Sequence, residues 1–139
     1  MKKLLLGLVV CSGMLMADFS RDDSVGVVTD MQTGLMWQDD ANTSLTWQDA
    51  VEYCEALKLW AYGDWRLPEK EELRSIVGQQ RYNPASDPAF KNSVSDGYWT
   101  ATLHPSASNY VWMVDFDDGS DIQGYKTRTH FVRCVRGGK

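Results

Sequence analysis

The sequence predicts an α+β fold in which two helices pack on short antiparallel strands and one disulfide joins a helix to a strand. Short β-prone runs separated by turn residues occupy the first and last thirds of the chain, whereas helical periodicity is confined to the middle. The length of 139 residues is that of one domain, and 43% hydrophobic with 12% aromatic residues supplies enough apolar surface for a folded core.

The first 17 residues have the pattern of a cleaved signal peptide. Lys2 and Lys3 precede an apolar run, and Ala17 provides the small residue at its end. The run is shorter than the ~20 residues that a transmembrane helix needs, so we expect no stable membrane span. The prediction is export to the periplasm or secretion, and the alternative is a lipoprotein anchored through Cys11.

Loss of this leader makes the chain more acidic and leaves two of its three cysteines. The formal charge of −5 becomes −7, because two lysines leave and no acidic residue does. An acidic surface repels phosphate backbones, which argues against nucleic acid as a partner. Cys54 and Cys134 are the cysteines that follow the leader, and in an oxidising compartment they are expected to form a structural disulfide.

The first elements expected after a lead-in over residues 18–24 are the strands of a β-hairpin. Residues 25–29 and 35–38 are β-prone and flank a turn that contains Asp and Gly. Residues 39–44 are polar and are predicted to form a loop.

Two helices are predicted in the middle of the chain. The first begins at Thr46, whose side chain can form a capping box with Asp49. Its apolar residues recur at helical spacing and place a cysteine on the buried stripe: Trp47, Ala50, Val51, Cys54 and Leu57. The second has Pro68 in its first turn and a buried stripe formed by Leu73, Ile76 and Val77.

The last part of the chain is predicted to contain a long loop and then strands. Residues 78–97 are predicted to form a long surface loop, which either carries function or is a connection pinned by Tyr82 and Phe90. Strands follow at residues 98–102 and 110–116, then an Asp-Gly hairpin turn, and finally a closing strand at residues 130–136.

A series of motifs runs in order through residues 25–136. They are Asp30-x-x-Thr33-Gly34-Leu35-Met36-Trp37, Leu45-Thr46-Trp47, Asp64-Trp65-Arg66-Leu67-Pro68 with Glu71-Glu72-Leu73, Tyr98-Trp99-Thr100, Val111-Trp112 and Val132-Arg133-Cys134-Val135-Arg136. Together they resemble the DUF1566 family, also called the Lcl C-terminal domain family. The resemblance implies a C-type-lectin-like fold, as in formylglycine-generating enzymes, with a helix-one cysteine bridged to the last strand.

The resemblance also implies an exported bacterial protein that binds a ligand. The collagen-like adhesin that gives the family its name binds sulfated glycosaminoglycans, but this chain has no Gly-x-y segment and its acidic surface opposes polyanionic sugars. Formylglycine-generating activity needs reactive cysteines, whereas both cysteines here are assigned to the disulfide.

No motif predicts catalysis, a cofactor or a metal site. The usual hydrolase, nucleotide and dinucleotide signatures are absent from the sequence, and His104 and His130 lack zinc-ligand companions. Three glutamates could supply an acid and a base, but they are expected to stabilise the start of the second helix: Glu69, Glu71 and Glu72.

Four carboxylates form a dense cluster near the Asp-Gly turn: Asp115, Asp117, Asp118 and Asp121. Their spacing departs from a calcium loop because Gly119 takes the fifth position. A solvated hairpin turn is the prediction here, and a calcium site is the alternative.

The predicted function is that of an exported, non-catalytic, adhesin-like module that recognises a carbohydrate or protein surface. Its site is expected in the loops after Thr102 and Gly124, formed by His104, Asn109, Tyr125, Lys126 and Arg128. Trp60 and Tyr62 are expected to expose their rings, and the other tryptophans to lie in the core. The alternatives are a cell-envelope structural or assembly protein and a cryptic enzyme of the formylglycine-generating-enzyme-like fold.

Overall fold

A computed structural model describes residues 18–78 and 80–138 of the chain. Within these residues the elements in chain order are β1 (Phe19–Asp22), β2 (Val27–Asp30), β3 (Met36–Gln38), β4 (Thr43–Leu45), α1 (Trp47–Ala56), α2 (Lys70–Arg74), β5 (Gly97–Leu103), β6 (Tyr110–Asp115), β7 (Ser120–Tyr125), β8 (His130–Val132) and β9 (Val135–Arg136). The predicted signal peptide and Cys11 lie outside the described residues.

The strands form two sheets, and the two helices lie between the first and last groups of strands in the chain. One sheet has the order β1-β2-β3-β9 and the other has the order β4-β8-β5-β6-β7. All neighbours are antiparallel except β5 and β8, which are parallel. The predicted α+β class with mainly antiparallel strands is therefore confirmed. No helix among the described residues is long and apolar enough to cross a bilayer.

Helix α1 forms where its apolar stripe predicts it. Ala50 and Cys54 are buried, and the remaining stripe residues pack around them in the same core. The predicted capping box is wrong, because Thr46 makes no side-chain hydrogen bond at the helix start. A tertiary contact satisfies the free Trp47 N–H instead, which donates to the Lys126 carbonyl at 3.2 Å.

The predicted disulfide is confirmed and ties α1 to the end of the chain. Cys54 and Cys134 are bonded, fully buried and 5.5 Å apart at their Cα atoms. Cys134 lies between β8 and β9, at the point where the chain passes from one sheet to the other. A disulfide of this kind is typical of an oxidising compartment and fits the predicted export.

Helix α2 is shorter than predicted, and Pro68 precedes it instead of lying in its first turn. Glu69 is the N-cap residue and forms a capping box with Glu72, so two glutamates have the stabilising role predicted for them. The buried stripe is confirmed at Leu73 and Ile76, which are fully buried.

Two strands lie in segments that were predicted to be irregular. The lead-in over residues 18–24 contains β1, which pairs with β2, and the polar loop over residues 39–44 contains the start of β4, which pairs with β8. β4 forms because a partner far along the chain provides its hydrogen bonds, whereas β1 forms a short hairpin with β2. Their own residues carry no strong strand pattern.

The predicted single closing strand is wrong, because it is two strands in different sheets. β8 pairs with β4 and β5, whereas β9 pairs with β3. Between them the Arg133 side chain turns into the interior, where Nη1 is 2.6 Å from the fully buried carboxylate of Asp39. An ion pair in this position satisfies two charges that would otherwise be costly to bury.

The same carboxylate holds the long loop that follows α2. The backbone N–H groups of Lys91 and Asn92 donate to Asp39 at 2.8 and 3.1 Å. Phe90 is buried beside the Arg133 guanidinium, as predicted for a residue that pins the loop. The same prediction for Tyr82 is wrong, since its side chain is 65% exposed.

The tryptophans divide between core and surface. Trp37, Trp65 and Trp99 are buried, as predicted, whereas Trp47 and Trp112 are only half-buried. The exposure predicted for the Trp60 and Tyr62 rings is confirmed.

Candidate functional site

Exposed aromatic rings gather where β6 begins and β7 ends. The register pairs Tyr110 with Tyr125 and Trp112 with Gln123, so alternation along the strands puts Tyr110, Trp112 and Tyr125 on one side of the sheet. Tyr110 is 36% and Tyr125 is 41% exposed, and their ring centroids are 5.2 Å apart. We call Tyr110, Trp112, Tyr125 and the neighbouring His104 the aromatic face.

His104 extends this surface from the β5–β6 loop. Its ring stacks on Trp112 with 5.3 Å between centroids and 28° between planes. The Lys70 ammonium of α2 lies 4.5 Å from the centre of the same indole. Trp112 therefore has both a stacked ring and a cation against its indole, and these contacts favour one orientation of its side chain.

A pocket of about 470 Å³ opens next to the aromatic face. Leu103, His104, residues 105–108, Tyr110 and Lys126 line it. None of these residues is acidic, although the chain as a whole carries a formal charge of −5. The pocket therefore combines apolar and aromatic walls with a single cationic side chain.

Lys126 and Asn109 bring the two predicted loops together. The Lys126 N–H donates to the Asn109 carbonyl at 2.9 Å, and its own carbonyl accepts the N–H that begins α1. The Lys126 ammonium lies 4.8 Å from the centre of the Trp47 ring. Backbone bonds on both sides thus fix the base of this lysine at the pocket wall.

Partly buried hydrogen bonds link the residues beneath the aromatic face. The Trp47 indole N–H donates to the Thr100 carbonyl at 3.0 Å, and the Thr100 hydroxyl donates to the Trp112 carbonyl at 2.7 Å. The Thr102 hydroxyl accepts the Lys70 N–H at 2.8 Å. α1, α2, β5 and β6 therefore meet under the site and hold its rings on a rigid base.

Arg128 is the predicted site residue that is set apart from the rest. Its N–H closes the turn after β7 by donating to the Tyr125 carbonyl at 2.9 Å. Within residues 18–78 and 80–138, its side chain makes no hydrogen bond or ion pair with the other four. It is instead near His130, whose pKa is lowered first by burial and further by the Arg128 charge, against the opposing charge of Asp96.

The acidic turn between β6 and β7 uses its carboxylates locally. Asp115 accepts the Asp117 N–H, and Asp118 accepts the Ser120 hydroxyl and N–H, which holds the pKa of Asp118 below its usual value. Asp121 is bound by Arg74 of α2 at 2.6 Å. No group of three or more His, Cys, Asp or Glu residues in the described part of the chain is arranged to hold a metal ion.

A second exposed aromatic pair lies on a tight turn after α1. Trp60 is 45% exposed and has a φ of 58°, which is unusual for a bulky residue. Two backbone hydrogen bonds of 3.1 Å between Leu59 and Tyr62 hold the turn. The Arg136 guanidinium lies 3.6 Å from the centre of the Tyr62 ring and is fixed by Asp64.

Sequence reasoning named four residues that gather here and missed several that matter as much: Leu103, Tyr110, Trp112 and Lys70. The strand pattern over residues 110–116 did place Tyr110 and Trp112 on a common side, which was the available signal. It did not show which part of that side the rest of the molecule would leave open, because this depends on where α2 packs.

These features define a small, disulfide-bonded, sheet-rich domain with an aromatic site at one end of a sheet. The chain belongs to the Lcl C-terminal domain family, whose model matches residues 26–136. The motif-based resemblance is thereby confirmed over almost the whole predicted domain. A comparison with curated protein sequences finds no match.

Proposed function

We propose that this chain is an exported, non-catalytic module with a C-type-lectin-like fold that binds a carbohydrate at the aromatic face. The observation that carries the proposal is the exposed Tyr110 and Tyr125 pair beside the pocket that contains Lys126. Family membership and the buried disulfide support export and a stable scaffold.

The chemistry of the aromatic face suits a sugar. Sugar rings have an apolar face of C–H groups that can pack on an aromatic ring, and hydroxyl groups around the edge that need hydrogen-bond partners. Tyr110 and Tyr125 offer both ring faces and phenolic hydroxyls. The His104 ring nitrogens and the Lys126 ammonium add polar groups at the rim of the pocket.

Rigidity of the site also supports recognition. The rings rest on strands of a five-stranded sheet and on hydrogen bonds from both helices, so little side-chain freedom is lost when a ligand binds. The loop residues of the pocket are tied to β7 through the bond between Lys126 and Asn109.

A glycan array probed with the purified protein tests the proposal. We expect binding to a limited set of glycans, and Tyr125→Ala and Tyr110→Ala should each weaken the affinity about tenfold or more through loss of stacking area. Both side chains are exposed, so the folded state should survive either change, as near-ultraviolet circular dichroism would show.

Tyr82→Ala is the matched control. Tyr82 is an exposed tyrosine next to Asn83, whose N–H donates to the Asp117 carbonyl at the far end of β6. β6 has six residues, so Tyr110 lies five residues from Asp115 at that end, a span of about 17 Å. Binding that falls equally in Tyr82→Ala and Tyr125→Ala, or no glycan binding at all, would count against the proposal.

A second candidate function is assembly with another envelope protein through the exposed pair of Trp60 and Tyr62. The observation in its favour is that this turn presents a bulky ring to solvent at a costly backbone angle. Co-purification with envelope proteins that is lost in Trp60→Ala, together with a silent glycan array, would support it.

A further inference from the structure

Strand β7 is an open sheet edge with little protection. It pairs with β6 over six consecutive residues without a bulge and is the last strand of its sheet. Proteins normally guard such edges with lysine, proline, bulges or very short strands, because an open edge can pair with another chain. β7 has no lysine, proline or bulge, and Asp121 is its one charged residue.

The other edges of the described sheets are better protected. β4 and β9 have three and two residues, which is too short to template a stable pairing. β1 has four residues, and its Arg21 and Asp22 carry opposite charges. β7 has one charged residue, Asp121, and that charge is already matched by Arg74 at 2.6 Å and Lys70 at 3.7 Å.

Hydrogen bonding shows which backbone groups of β7 are free to bind a partner. The Lys126 N–H donates to Asn109 on the β6 side, so in an alternating antiparallel ladder the even-numbered residues face β6. The odd-numbered residues Asp121, Gln123 and Tyr125 therefore turn their backbone groups outward. Among the described residues, only the Tyr125 carbonyl has another partner on that side, the Arg128 N–H.

We propose that two copies of this chain pair through β7, in antiparallel orientation about a twofold axis at Gln123. The outward backbone groups belong to odd-numbered residues, so odd-numbered residues of one copy must face odd-numbered residues of the other. A twofold axis perpendicular to the sheet also leaves the same face of both sheets on the same side of the dimer. With Gln123 opposite the partner's Gln123, Asp121 faces the partner's Tyr125. The outward groups then make about four hydrogen bonds, and about two more form if each Tyr125 carbonyl accepts a second bond beside the one from the Arg128 N–H.

Hydrogen bonding and side-chain chemistry favour this register over those that move the axis towards Asp121. Moving the axis to Ile122 leaves the outward Tyr125 N–H without a bond, and moving it to Asp121 sets two carboxylates against each other. In the proposed register Ile122 lies beside the partner's Gly124, which has no side chain to clash with it. The two Gln123 amides can hydrogen-bond to each other across the axis.

The partner is therefore a second copy of this chain, and the product is one continuous ten-stranded sheet. The proposal does not depend on carbohydrate binding. If both hold, the two aromatic faces lie on the same side of the joined sheet, where a repeating ligand can engage both. The contact is small, so we expect a dimer with an affinity in the micromolar range or weaker.

Analytical ultracentrifugation over a range of concentrations tests the proposal. The purified protein should show a reversible monomer–dimer equilibrium. Gln123→Lys and Gln123→Glu should each raise the dissociation constant at least tenfold, because like charges meet at the axis. An equimolar mixture of the two variants should restore association, since an ammonium and a carboxylate then face each other.

Gln32→Lys is the matched control, because it makes the same change at an exposed position in the turn between β2 and β3. It should leave the dimer unchanged. A protein that stays monomeric at its solubility limit would overturn the proposal. So would a dimer that tolerates both substitutions at Gln123, or a mixture that associates no better than either variant alone.

Discussion

At the scale of single residues, the centre of the fold is the Asp39 carboxylate. It is fully buried and accepts hydrogen bonds from Arg21, Arg133 and two backbone N–H groups of the long loop. One side chain thus joins β1, the crossing between the sheets, and the loop that precedes β5. Sequence patterns gave no hint of it, because an Asp after a strand looks like an ordinary turn residue.

Removing this carboxylate should be among the most damaging single changes in the protein. Asp39→Ala leaves the Arg133 guanidinium buried without its charge partner, and we expect a loss of about 3–5 kcal/mol in the free energy of unfolding. Urea denaturation measures it. Asp23→Ala is the control, because Asp23 also pairs with Arg21 but is exposed, and it should change the stability far less. Equal losses would contradict this account.

His130 gives the protein a pH dependence that can be assigned to one residue. Its ring packs 5.0 Å from Trp99, and burial lowers its pKa below the ordinary 6.5. As the pH falls below about 6.5, the unfolded chain takes up a proton here before the folded chain does. Stability should therefore decrease as the pH drops from about 7 towards the lowered pKa, and level off below it.

Thermal unfolding between about pH 7 and pH 5 checks this, with His130→Gln for comparison. The substitution should flatten the decline. The aspartates with lowered pKa values titrate below this window, so they should not contribute to the slope. A variant that keeps the full decline would show that another group is responsible.

At the scale of elements, a helix as short as α2 depends on bonds from outside itself. Arg66 holds Glu72 through two hydrogen bonds of 2.8 and 2.9 Å, and this interaction raises the pKa of Arg66. Arg66 also pairs by its backbone with Val135. The Asp-Trp-Arg-Leu-Pro motif therefore connects α2 to β9, and Lys70 of the same helix lies over Trp112 of the aromatic face.

Glu72→Ala should destabilise the protein by about 1–3 kcal/mol, because it removes both the capping box and the Arg66 pair. Glu71→Ala, one position earlier on the exposed side of the helix, should change stability by about 0.5 kcal/mol or less. Urea denaturation distinguishes them, and similar values for the two variants would contradict the role given to Glu72.

Helix α1 also depends on a bond from outside itself, the disulfide between Cys54 and Cys134. Cys54 and Cys134 are 80 residues apart in the sequence, and a chain-entropy model gives a bridge over such a loop up to ~4.5 kcal/mol of stabilisation. The double variant Cys54→Ala, Cys134→Ala should lose much of this in urea denaturation. Two alkylated thiols in the purified protein without prior reduction would contradict the bridge.

Elements with a long periodic pattern were predictable, and elements defined by their partners were not. The stripe around Cys54 predicted α1, and alternation around Trp112 predicted β6. By contrast, β4 depends on pairing with the distant β8, and the break at Arg133 depends on a carboxylate almost a hundred residues away. Local patterns carry no information about such contacts.

At the scale of the whole molecule, the two sheets contribute differently to the structure and to its surface. The four-stranded sheet, the Asp39 network and the disulfide hold the chain together, whereas the five-stranded sheet presents the aromatic face at one end and the open β7 edge at its side. The sequence predicted which loops contribute to the proposed site. It did not predict the strand register that sets Tyr110 beside Tyr125.

The most direct test of the account is a two-dimensional NMR titration of the protein with a glycan that the array selects. We expect the shift changes to concentrate at the amides of residues 103–112 and 123–126 and at the Trp112 indole N–H, with Tyr125→Ala abolishing them at the same glycan concentration. Changes centred on Trp60 and Tyr62, or spread evenly over the molecule, would contradict a binding site at the aromatic face.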